Sequence, residues 1–440
     1  MTTIPQLATV LQQVFITEAE RAGRQSGLVR RSDAKLTGSI FTQTLVFGLG
    51  ANPDASLSEL TQTSAALGVS VSAEALHQRF SRSAASCLEQ VLCAAVRQIV
   101  VADPVVLPLL ERFCEVVVQD STTLILPEVL ATVWSGCGGA PDAGNAALKL
   151  QLALDLRTGR LRGPHLHDGR DSDRNATLHH DLPPGSVRIV DLGYWDLAVL
   201  DTLTKRGVFW FSRAHATTAV QTPDGRWWNL LELLQDQAAQ PVDITVRLGR
   251  QAAVEARLVA VPVAEEIAAE RRRRLRSEAN EAGEAVSELR LALASWSVYV
   301  TTIPQALLSV QEALLLGAAR WQIELLIKLW KSHGQIDKVR DLNPWRVLCE
   351  LYARLLSQIV QHWLLLVSCW EEPARSLTKA AKTVRTHWVC LATNLLVHEH
   401  LSRAITTLAR CIRAGCRMNP RRKKPNTYQR FLAAAASCVT

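Results

Sequence analysis

Three carboxylates stand where chemistry is possible. Asp120 closes the run Cys114-Glu115-Val116-Val117-Val118-Gln119, and Asp191 closes Val187-Arg188-Ile189-Val190. Both runs read as strands ending in an acid, and small or polar residues follow: Ser121-Thr122 in one case, Leu192-Gly193-Tyr194 in the other. A sheet fixes a side chain at a strand end while the next loop leaves it open to substrate. The same position also suits an aspartate that only forms a turn. The third acid is Glu324, in a stretch from Gln311 to Ser332 that reads as one helix and also carries Gly317, Arg320, Trp321, Lys328 and Lys331. At about 100° per residue, Arg320, Glu324 and Lys331 lie within about 40° of one line along that helix. One acid and two bases on a stripe can pair along a solvent face, or they can join the two aspartates at a site that holds a divalent cation.

Other reactive groups are less well placed. His398 and His400 are two residues apart, which on a helix points them about 200° apart and rules out one shared ion. His165 and His167 would share a strand face, yet no third ligand accompanies them. The sequence has no Gly-x-Ser-x-Gly, no phosphate-binding Walker loop and no dinucleotide fingerprint. Its ten cysteines include no C-x-x-C pair and fall mostly in apolar segments, as expected of reduced core thiols.

The elements needed to position the three acids can be traced along the chain. Residues 1–110 read as helical, with Ser56-Leu57-Ser58-Glu59 a capping box that starts a helix running to about Ala66. A turn at Leu67-Gly68-Val69-Ser70 and a cap at Ser72 then make a helix-turn-helix or a simple helical hairpin. From Phe113 the periodicity becomes two: strands are expected at Cys114–Asp120, Lys149–Leu156, about Leu161–His167, Val187–Asp191 and Val208–Ser212, with helices near Ser172–His180 and Trp195–Lys205. Residues 213–303 read as a β-rich insertion, with strands at Asp243–Leu248, Glu255–Val263 and Ser295–Val300. In it Arg271-Arg272-Arg273-Arg274 sits among Glu265, Glu266, Glu270 and Glu278 as an internally paired, solvated helix face. After Pro304 the chain is helical, with helix starts at Asn343-Pro344 and Glu372-Pro373.

Composition narrows the class. With 440 residues, 48% apolar and 20% charged, the chain is a folded protein long enough for a sizeable core. Its longest apolar run without a formal charge, Leu355 to Trp370, is 16 residues, too short to span a bilayer, and reads as a buried helix. The N-terminal MTTIPQLATVLQQVF lacks the basic start of a secretory leader, so a cytoplasmic protein is expected. The net charge of +8 is local: the last forty residues hold nine Lys and Arg and no acid, including Arg421, Arg422, Lys423 and Lys424. Such a tail points to a polyanionic partner.

Asp120-Ser121-Thr122, Val190-Asp191-Leu192-Gly193-Tyr194 and Arg320-Trp321-Gln322-Ile323-Glu324-Leu325-Leu326-Ile327-Lys328-Leu329-Trp330-Lys331 together resemble the Asp-Asp-Glu (DDE) transposases of the insertion-sequence-four type. That family's signature is Tyr, two residues, Arg, three residues, Glu, six residues, Lys. Arg320, Glu324 and Lys331 fit it, and Gly317 takes the tyrosine's place. The resemblance implies a mixed α/β fold: an RNase H-like core in residues 111–212 and 304–345, interrupted by the insertion at 213–303. A helical DNA-binding region at 1–110 and a helical C-terminal region at 346–440 would flank it. It implies that Asp120, Asp191 and Glu324 are catalytic and bind two Mg²⁺, for which Mn²⁺ can substitute. It also implies that Arg320, Lys328 and Lys331 grip DNA phosphate and that Trp296 stacks on a base, although a core tryptophan fits the same pattern. The partner would be double-stranded DNA at the element's ends and target, engaged by a homodimer near the nucleoid, with no membrane. The activity so implied is cut-and-paste transposition. A DNA-binding remnant without catalysis and a structure-selective nuclease on the same fold are the alternatives. Glycine at 317 removes the phenol that would face the phosphate, which leaves Arg320 as the nearest group to hold it.

Overall fold

A computed structural model describes residues 1–136, 146–237, 240–283, 285–339, 341–419 and 427–437. The chain divides into two compact units, each assembled from separated segments. The first comprises Met1–Val106, Ser121–Asp171 and Ile323–Pro425, and the second comprises Leu107–Asp120, Ser172–Gln322 and Asn426–Thr440.

The first unit is mainly helical. The capping box works as expected: Ser56 caps the helix Leu57–Ala66 and Glu59 returns to the Ser56 backbone N–H. Gly68 then turns the chain with φ +85°, and Ser72 caps a short second helix, Ala73–His77. The helix Pro344–Cys369, capped by Asn343, is buried over most of its length and contains the apolar run from Leu355 up to its C-cap, Trp370. A helix apolar all round belongs in a core. Among the described residues no helix is long and apolar enough to cross a membrane.

Inside this helix, His362 Nε2–H donates to the Gly159 carbonyl at 2.7 Å, and its ring meets Trp370 edge-on. Burial drives the imidazole down to about 4 from an ordinary 6.5, with the carbonyl opposing and Arg375 reinforcing the shift. The folded state therefore keeps His362 neutral where the unfolded chain takes up a proton. Its contribution is intact above pH 6.5 and is lost as pH falls toward 4, a total of about 3 kcal/mol. Urea unfolding at pH 7, 5 and 4 should show this slope, and His362→Gln should flatten it by that amount.

Among the described residues ten strands occur: β1 (Val116–Leu126), β2 (Ala146–Asp155), β3 (Leu161–Asp168), β4 (Val187–Val190), β5 (Phe209–Ser212), β6 (Ala219–Gln221), β7 (Trp227–Asn229), β8 (Val242–Leu248), β9 (Val254–Pro262) and β10 (Trp296–Thr301). In the first unit, β2 and β3 form an antiparallel pair, Leu148 opposite Asp168 at one end and Leu154 opposite Leu161 at the other. In the second, the order is β1-β4-β5-β10-β9-β8-β6-β7. There β1, β4 and β5 run parallel, and the remaining neighbours are antiparallel. Parallel strands need a crossover, which the helix Leu197–Lys205 supplies between β4 and β5. The mixed α/β class with flanking helices agrees with the sequence reading.

Four local expectations are corrected. Asp120 does not end its strand: β1 continues to Leu126, although its fully buried part stops at Gln119. The segment Ser172–His180 is not a helix. Only Asp173–Asn175 makes a single tight turn, because Ser172 Oγ satisfies the Arg174 N–H and Ala176 is already extended. The helix expected at Glu372-Pro373 begins at Leu377, where the Ser376 side chain caps it. Finally, the run Gln311–Ser332 is two helices, Val310–Ala319 and Trp321–Ser332, joined at Arg320. Helical phase therefore relates Glu324 to Lys331 but does not extend to Arg320 or Gly317. Of the described cysteines, Cys87, Cys349, Cys369 and Cys416 are buried in the core while Cys93, Cys114, Cys390 and Cys411 are exposed.

Candidate active site

The register of the parallel strands explains where the aspartates go. Val116 pairs with Val187, Val117 with Arg188 and Val118 with Ile189, a constant offset of 71 residues. Asp120 and Asp191 differ by the same 71, so continuing the pairing sets them side by side on neighbouring strands, about 5 Å apart at Cα. The two strands are also tied from beneath. Arg188 Nε–H donates to Gln119 Oε1 at 3.0 Å, both side chains buried, and the guanidinium lies 5.6 Å from the Tyr194 ring. Burial pushes Arg188 down to about 10, with Tyr194 opposing the shift.

The same row extends across the sheet. Val190 pairs with Ser212 on β5, which carries Asp191 to Arg213; Ser212 pairs with Val300 on β10, which carries Arg213 to Tyr299. Asp120, Asp191, Arg213 and Tyr299 thus occupy successive positions at one level of the sheet, beyond the carboxyl ends of β4 and β5. Ligands bind at such ends in open α/β sheets, because the strands fix the side chains and the loops remain accessible.

Asp191 is held in a defined orientation. Its backbone is extended (φ −92°, ψ 176°), and Oδ1 accepts the Leu192 N–H at 2.7 Å. Oδ2 stands 3.6 Å from Arg320 Nη1, with the arginine side chain 13% exposed and the aspartate 36%. The structure therefore brings Arg320 to Asp191, and the continued register of β1 and β4 puts Asp120 on the neighbouring strand. Paired carboxylates, one with an oxygen already facing a cation, are a hard-oxygen donor set that suits Mg²⁺, which takes few carboxylates and leaves positions for water and phosphate. Among the described residues no three His, Cys, Asp or Glu side chains are gathered around one ion position.

Glu324 is half-buried on Trp321–Ser332, in the first turn after Arg320. Lys331 lies seven residues on, about 20° off its line. Lys328 and Lys331 line a surface cavity of about 470 Å³ with Ser332, Gln335, Asp337 and Lys338. Trp296 begins β10 and is 9% exposed. Arg421, Arg422, Lys423 and Lys424 lie outside the described residues.

The arginine run in the insertion splits by role. Arg272 pairs with Glu265 and Arg274 with Glu278 at 2.6 Å, as expected of a solvated face. Arg271 departs from it: half-buried, it donates to the Trp296 carbonyl at 2.8 Å and to Ser297 Oγ at 3.0 Å. Burial lowers it below its ordinary value, with Arg213 adding to the depression and Tyr299 opposing it.

Sequence reasoning missed Arg213 and Tyr299. Arg213 directly follows the apolar strand Phe209–Ser212, the same sign that marked the two aspartates, and could have been found. Nothing in the alternation of β10 singles out Tyr299.

The family model for a transposase DDE domain matches residues 113–359, more than half of the chain. The chain is 25% identical over 360 residues to the transposase for insertion sequence element IS231B of Bacillus thuringiensis subsp. berliner, covering 77% of this chain and 75% of that one. It is 25% identical over 392 residues to that for IS231F of Bacillus thuringiensis subsp. israelensis, covering 83% and 81%. To that for IS1151 of Clostridium perfringens it is 23% identical over 276 residues, 58% of each chain. With an RNase H-like mixed sheet and that match over more than half of its length, the chain belongs to the DDE transposases of the insertion-sequence-four type.

Proposed function

We propose that this transposase works by cutting and pasting DNA at insertion-sequence ends, with Asp120, Asp191 and Glu324 as the residues that hold two divalent ions, Mg²⁺ or in its place Mn²⁺. The observation that carries the reading is the common offset of 71 between strand register and aspartate spacing. When bound, the ions supply charge neutralisation on the attacking and leaving oxygens of an in-line phosphodiester displacement. Water attacks phosphorus and the bond to the 3′ oxygen breaks; the released 3′-hydroxyl then attacks a phosphodiester of the second strand, displacing that strand's flanking 3′ oxygen, and a second water reopens the new bond so that the regenerated 3′-hydroxyl attacks target DNA.

The chain's own residues orient this chemistry. Asp191 is fixed through the Leu192 N–H, and Asp120 through β1. Arg320 balances Asp191 and presents a planar fork suited to phosphate, while Lys328 and Lys331 act as point charges along the backbone. Arg421 to Lys424 add sequence-independent attraction to duplex DNA, and residues 1–110 contribute end recognition. Two copies of the chain, one at each end, would form the working complex.

The test is a duplex carrying the terminal repeat that flanks the chain's own gene, incubated with protein and Mg²⁺. Nicking at the repeat boundary, transfer of the cut end into plasmid DNA and loss of both with EDTA are expected. Nicking without transfer would make the protein a nuclease. Binding without nicking would make it a DNA-binding remnant.

A further inference from the structure

Gly317 is not an empty place on its helix. A Cβ built there would lie 2.4 Å from both Cζ and the hydroxyl oxygen of Tyr299, far inside any real contact. The bare glycine backbone is what lets the phenol from β10 lie against the Val310–Ala319 helix. The ring is fixed from its other side by Phe211, with centroids 4.8 Å apart and planes tilted 31°. Tyr299 is half-buried.

The surroundings of that hydroxyl favour an anion. Continuing the strand register sets Arg213 opposite Tyr299, Arg271 is held on the same strand by the Trp296 carbonyl and Ser297 Oγ, and Arg320 lies one turn beyond Gly317. Residues three apart on a helix share a face. In the same row, the acids begin with Asp191, one strand past Arg213.

We propose that Tyr299 donates a hydrogen bond to a non-bridging phosphate oxygen of the DNA strand at the aspartate pair, sharing that phosphate with Arg213 and Arg320. The assignment rests on the site reading above and adds a DNA-contacting residue to it. Glycine at 317 is then a requirement of the site: the phenol arrives from the strand, and the helix must leave room for it.

Tyr299→Phe keeps the ring and its contact with Phe211 while removing only the donor. Nicking of the terminal-repeat duplex in Mg²⁺ should fall roughly ten- to a hundredfold, the range for one hydrogen bond to a charged group, with the melting temperature unchanged. Replacing single phosphates by neutral methylphosphonates should reveal one position at which the penalty for Tyr299→Phe disappears, which a purely structural role would not produce. Wild-type nicking by Tyr299→Phe, or a penalty equal at every phosphate, overturns the assignment. Asp191→Asn is run beside it. If that variant is inactive while Tyr299→Phe nicks normally, only the tyrosine assignment fails; if Asp191→Asn nicks normally, the site reading itself fails.

Discussion

Asp191→Asn should abolish Mg²⁺-dependent nicking, lowering the rate by more than about a thousandfold, equivalent to about 4 kcal/mol of transition-state stabilisation. The substitution is nearly isosteric. Its carbonyl oxygen can still accept the Leu192 N–H, so the start of the loop after β4 is retained. What disappears is the negative charge facing Arg320 and any ion bound there. Because that pair is partly exposed, its removal should cost the fold no more than about 1 kcal/mol. Duplex binding measured by gel shift without metal should stay near wild type, which separates lost chemistry from lost binding. Asp120→Asn and Glu324→Gln should behave alike if the three acids act as one set. An Asp191→Asn protein that nicks at the wild-type rate would remove Asp191 from the site.

Arg320→Ala should reduce nicking by about a hundred- to a thousandfold, the range for losing one pre-positioned charge at a developing anion. In the absence of metal, Arg320 is the cation beside Asp191, and the register places Asp120 next to that carboxylate. Without it, one positive charge fewer offsets the carboxylates, which favours a divalent ion as counter-charge. The variant should therefore take up Mn²⁺ more tightly, measured by electron paramagnetic resonance titration, while cutting more slowly. Arg320→Lys should recover part of the rate, since a point charge replaces a fork. If Arg320→Ala binds Mn²⁺ more tightly and still cuts at full speed, the arginine is a counter-ion alone and grips no phosphate.

What was legible in the sequence follows physical range. The capping box at Ser56 and Glu59 predicted its helix correctly because capping is settled within one turn of chain. The strands around Val118 and Ile189 were legible because buried parallel strands are continuous apolar runs. The extension of β1 to Leu126 was not, since its last residues alternate between buried and exposed and the acid at 120 reads as punctuation. The three-residue strands β6 and β7 carry too little pattern to be seen. The joint at Arg320 was also invisible, because Ala318-Ala319 and Trp321 are ordinary helix residues with no breaker among them.

By itself, the sequence determined which residues could do chemistry: two aspartates after apolar strands, and an Arg, Glu and Lys at fixed spacing near a later helix. It did so because strand and helix periods, charge and residue type are local properties. Only tertiary structure decided which of them meet. The 71-residue offset becomes a pair of neighbouring carboxylates only once β1 and β4 align in parallel, and Arg320 faces Asp191 only through the packing of the second unit. Gly317 looked like a missing side chain until β10 brought Tyr299 against it. Such contacts depend on strand register and close packing between segments far apart in sequence, and no local pattern encodes them.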